Sequence, residues 1–110
     1  MVQGNLTSIF AYDDCRELFE RALTRLEAGG AGIRIKLETR SAAVKLRHRM
    51  NRFRQQDRDA NSRVYPEDVP NHGTSIYDKL QLRIPTAGSD DETNLVIEKR
   101  TSEAYEVEEI

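Results

Sequence analysis

Along the first third of the chain, Cys15, Leu18, Phe19, Ala22, Leu23 and Leu26 recur at intervals of three and four residues. This is the spacing of one buried helical face. Asp13 or Asp14 stands where an N-cap is expected, and Ala28-Gly29-Gly30 follows where a helix ends. From Ile33 to Glu38 apolar and charged residues alternate strictly, which predicts a strand with one face buried and Arg34 and Lys36 on the other. Ala43, Leu46, Met50 and Phe53 then form a second helical stripe, predicting a helix over 40–58 that is capped by Ser41 and ends in Asp59-Ala60-Asn61-Ser62. Residues 60–75 hold two prolines, a glycine and several Asn, Ser and Asp residues, and read as a long loop. Alternation returns from Ile76 to Ile84, with Leu80, Leu82 and Ile84 on one side and Tyr77, Lys79, Gln81 and Arg83 on the other. After a polar turn at 85–93, residues 94–98 form a short apolar strand, the expected hairpin partner of the one before.

The order helix, strand, helix, strand, strand predicts an α+β fold with a small three-stranded, mainly antiparallel sheet and both helices on one face. A chain of 110 residues is the size of one domain, here residues 1–99 followed by an acidic tail at 100–110. The exposed sheet face is then expected to carry Arg34, Lys36, Tyr77, Lys79, Gln81 and Arg83.

Charge changes this picture most. The net charge of −2 conceals a strong division. Residues 30–60 hold nine basic side chains against three acidic ones, and residues 90–110 hold two against eight. Between Arg40 and Arg54 there is no acid at all. Solvated helix faces usually mix signs at a spacing of four residues, so an acid-free basic run calls for an anionic partner. On a helical projection Arg40, Arg47, Arg54 and Arg58 line one flank of the buried stripe, while Lys45, His48, Arg49 and Arg52 spread over the outer surface. Arginines and lysines in such an array pair with successive phosphates.

The expected contacts to DNA or RNA are Arg40, Lys45, Arg47, Arg49, Arg52, Arg54 and Arg58, assisted by Arg34, Lys36, Lys79 and Arg83 from the sheet. Tyr77 is the one aromatic on that face placed to stack on a base. The rival expectation is an interaction module or inhibitor, of viral or bacterial type, that docks the same helix on an acidic protein. The acidic tail is a third claimant for the basic surface.

Little points to catalysis, a cofactor or a metal. His48 and His72 are isolated from each other in sequence, and Cys15 lies on a buried stripe. Gly29-Gly30-Ala31-Gly32 follows a helix and precedes a strand, the reverse of a phosphate-binding loop. Asp90-Asp91-Glu92 lacks further ligands at calcium-loop spacing. A single cysteine leaves no internal disulfide, and no run approaches the roughly 20 apolar residues of a membrane span. The expectation is a cytoplasmic, non-enzymatic protein that binds no cofactor, with a homodimer through the last strand or the tail as one possible assembly.

Overall fold

The computed structural model describes residues 12–100. They form α1 (Asp13–Glu27), β1 (Gly32–Lys36), α2 (Arg40–Val64), a 3-10 turn (Ile76–Lys79), β2 (Leu80–Arg83) and β3 (Asn94–Lys99). The α+β order expected from the periodicities is the order observed. The tail at 101–110 lies outside the described residues.

The sheet is fully antiparallel, with β3 in the middle and β1 and β2 at its edges. Ile33 faces Ile97 and Ile35 faces Leu95 across one ladder, and Leu82 faces Ile97 across the other. Register therefore gathers Ile33, Ile35, Leu80, Leu82, Leu95 and Ile97 on one face, where both helices cover them, and leaves Val96 on the other. The core consists of Cys15, Phe19 and Ala22 from α1, Met50 and Phe53 from α2, and Tyr77, Leu80, Leu95 and Ile97. Phe19 stacks on Tyr77 with ring centroids 5.0 Å apart, and Phe53 lies 5.7 Å from Tyr77 and 6.0 Å from Phe19. Three aromatic rings thus carry much of the packing in a domain without tryptophan. Gly32 has φ +132°, and a Cβ there would strike the Ile97 carbonyl, so only glycine lets β1 approach β3 at this point.

Four local expectations are corrected. Helix α2 extends to Val64 and takes five residues, 60–64, from the predicted loop. Its stop is Pro66, which holds Tyr65 in an extended conformation (φ −103°, ψ 137°); Asn61 and Ser62 are tolerated inside the helix. The N-cap is Thr39 rather than Ser41, its hydroxyl accepting from the Ala42 amide at 3.0 Å. At α1 the cap position falls on Tyr12 without a side-chain bond, and Asp13 and Asp14 occupy the first turn, where carboxylates favour the helix dipole. The predicted strand from Ile76 is in its first half a 3-10 turn. Ser75 and Asp78 cap that turn reciprocally, Ser75 Oγ accepting from the Tyr77 amide and Asp78 Oδ2 from the Ser75 amide.

The turn rotates Tyr77 out of the predicted open face and into the core, where it is 5% exposed. The central position of β3 also removes the last strand as a dimer edge, since both of its sides are already paired.

Candidate nucleic-acid interface

The twelve residues expected to contact an anion meet four different environments. Arg54 leaves the set altogether. It is 6% exposed and donates to the carbonyl oxygens of Tyr77 at 3.1 Å and Leu80 at 2.7 Å, and to Asn51 Oδ1 at 2.8 Å. Its guanidinium also lies 5.7 Å from the Phe19 ring centroid. Burial is the main influence lowering its pKa, with repulsion from Arg100 and Arg58 adding to it and Asp78 partly offsetting it. The residue ties the middle of α2 to the 3-10 turn and the start of β2. Tyr77 is lost as a stacking residue for the same reason of burial, and its hydroxyl donates to Glu20.

A second group is exposed in part but engaged by the protein. Arg40 donates to the carbonyls of Pro85 and Glu92, fixing the start of α2 against the β2–β3 connection. Arg58 donates to Asp78 Oδ1. Burial alone would raise the Asp78 carboxyl, but the bonds from Arg58 and the Ser75 amide, with the charges of Arg58 and Arg54, outweigh it and hold the group below its ordinary range. Arg49 makes a bidentate bond to Asp14 at 2.7 and 2.9 Å, joining the two helices. That hydrogen bond is the main cause of the raised Arg49 pKa and the lowered Asp14 pKa. Arg83 donates to Glu98 at 3.0 Å, and Gln81 donates to the same carboxylate at 2.6 Å.

The third group is the outer face of α2, together with Arg47 on its flank. Lys45, His48 and Arg52 are exposed and Arg47 is half-buried. Lys45, His48, Arg49 and Arg52 fall within one stripe of the helical projection, opposite Met50 and Ala43. Lys45, Arg47 and Arg52 make no hydrogen bond or ion pair among the described residues.

The open sheet face is the fourth environment. Arg34 and Lys36 project from β1 beside Val96 and Asn94, and both are exposed. Arg34 and Arg83 flank Val96 from either side, because the register sets both opposite it. A shallow depression lined by Gly32, Arg34, Arg83, Val96 and Glu98 lies between them. Lys79 does not belong to this face. With Lys99 it lines a groove beside Leu26, Glu27, Gly29 and Gly30, where the C-terminus of α1 favours a cation.

No protein-family model, no curated protein and no solved structure matches this chain. The site's chemistry therefore rests on its own side chains. Among the described residues no cluster of three or more His, Cys, Asp or Glu side chains has the geometry to hold a metal ion, and no helix is long and apolar enough to cross a membrane. Cys15 is fully buried, and burial, with the nearby Asp14 charge adding to it, pushes its thiol up to about 11. His72 Nδ1 lies 2.8 Å from the Tyr65 carbonyl oxygen, so a backbone group holds this imidazole.

The structural duties of Arg40, Arg54 and Arg58 were invisible to periodicity. Helical angle placed all three on a flank. A flank position can face either solvent or a neighbouring element, and here the 85–92 segment, the 3-10 turn and the start of β2 supply carbonyls to Arg40 and Arg54, and the turn supplies the Asp78 carboxylate to Arg58.

Proposed function

We propose that this chain is a small non-enzymatic nucleic-acid-binding protein of the cytoplasm, contacting phosphates through the outer face of α2. The supporting observation is the acid-free basic run from Arg40 to Gln56, whose outward members Lys45 and Arg52, with Arg47 half-buried on the flank, are not offset by any carboxylate among the described residues. Arg49 flanks them, and Arg34 and Lys36 on the open sheet face form a secondary, weaker surface. Arg40, Arg54, Arg58 and Tyr77 belong to the framework in this reading.

With three or four cations in contact, binding is electrostatic and largely indifferent to sequence. Fluorescence anisotropy with a labelled duplex tests this directly. Affinity is expected to fall roughly 40- to 150-fold between 50 and 200 mM salt for three to four phosphate contacts. Absence of salt-sensitive binding to duplex or single strand ends the proposal.

A second reading draws on Val64, Tyr65 and Ile76, which are 72%, 37% and 57% exposed at the end of α2 and the start of the 3-10 turn. Apolar side chains left outside suit a protein partner, consistent with an interaction module that uses the basic helix on an acidic surface. Capture of a partner that survives nuclease treatment, coupled with no oligonucleotide binding, selects this reading over the first.

A further inference from the structure

The chain leaves the sheet next to an excess of positive charge. The Arg100 amide donates to the Lys79 carbonyl at 2.8 Å, and its guanidinium reaches the Leu80 carbonyl, which also accepts from Arg54. Arg58 lies beside them on Asp78. Two guanidiniums, those of Arg54 and Arg58, thus share the Asp78 carboxylate, with Arg100 next to them on the Leu80 carbonyl, and Arg54 Nε is buried with no hydrogen-bond partner, 4.0 Å from that carboxylate. Repulsion from Arg100 and Arg58 adds to burial in lowering the Arg54 pKa.

The next residues in the chain carry the missing charge. Residues 101–110 hold Glu103, Glu106, Glu108 and Glu109 and no basic side chain. Ten residues reach about 33 Å when extended, whereas the distance along the axis of α2 from Arg58 back to Lys45 is about 20 Å. The segment therefore leaves the fold beside the C-terminal half of α2, opposite in charge to that helix's outward cations and long enough to reach Lys45. Tethering also gives it a high local concentration relative to any free competitor.

We infer that residues 101–110 dock on the basic face of α2 as an intramolecular polyanion, one that a nucleic acid must displace. The competition rests on the function proposed above; the docking does not, because it follows from charge, reach and the exit point alone.

The test uses the full chain with Glu103, Glu106, Glu108 and Glu109 replaced by glutamine, compared with the wild type by backbone amide chemical shifts at low salt without nucleic acid. Docking predicts shift differences at Lys45 to Arg58 and at Arg100 that vanish at high salt and do not change with protein concentration. It also predicts that the variant binds an oligonucleotide about tenfold more tightly at low salt, the gain expected if the segment covers its site nine-tenths of the time.

Identical α2 shifts in the two proteins overturn the inference, even if both bind nucleic acid. Concentration-dependent differences overturn it in favour of a second copy's segment. Shift differences with no oligonucleotide binding by either protein keep the docking and reject the nucleic-acid function.

Discussion

Arg54 sits in a run of cations of which only some face outward, and its charge is used inside the fold. Its partners are the Tyr77 carbonyl, which also accepts from the Leu80 amide, and the Leu80 carbonyl on edge strand β2, so its removal loses two bonds to buried acceptors and a charge held in the interior. Arg54→Ala is expected to cost about 2–4 kcal/mol in urea unfolding. Arg49→Ala, which breaks an exposed pair, is expected to cost under about 1 kcal/mol. Equal losses would refute the structural role given to Arg54.

Asp78 offers a pH test of the same cluster. Its folded pKa lies below the ordinary carboxylate value, so the stability it contributes is present above about pH 4 and is lost as the pH falls through the lowered folded value. Asp78→Asn is accordingly expected to be less stable than the wild type at neutral pH, and to show a shallower loss of stability below about pH 4. Parallel stability curves for the two proteins would contradict this account of the Arg54–Asp78–Arg58 cluster.

At the scale of elements, the helices and strands were legible because each buries a face whose period shows in the chain. Cys15 to Leu26 and Ala43 to Phe53 marked the helices, and Ile33, Ile35, Leu95 and Ile97 marked the sheet. What escaped were features decided by one hydrogen bond or one ring. Alternation through Tyr77 and Lys79 reads as strand, but the Ser75–Asp78 capping box winds the segment into a turn and reverses the fate of Tyr77. Thr39 outcompetes Ser41 as the cap because the chain already turns helical at Arg40. Thr39→Ala should therefore cost about 1 kcal/mol, with Ser41→Ala nearly silent in the same unfolding assay. The reverse order would move the start of α2.

The pattern of candidate contacts was legible only in part, for a related reason. Sequence shows how many cations α2 carries and which are not balanced by a near acid. It does not show that carbonyls of Tyr77, Leu80, Pro85 and Glu92, distant along the chain, claim Arg54 and Arg40.

For the whole molecule, a net charge of −2 conveys nothing of its behaviour. A basic surface along α2 is opposed by the acidic stretch that follows β3, and the sheet holds a smaller basic surface at Arg34 and Lys36. Under the proposed function, association with a polyanion would be governed by a few outward cations, with the arginines that brace the fold held apart from it. Neutralising the outward set should weaken binding without unfolding the protein.

The most direct measurement is the salt slope of duplex binding for the wild type and for the triple variant Lys45→Gln, Arg47→Gln, Arg52→Gln. The account predicts a slope shallower in the variant by about 0.9 for each lost phosphate contact, roughly 2.7 in all, with unfolding stability unchanged. A slope that stays the same in the variant would contradict the assignment of these three residues to the binding surface.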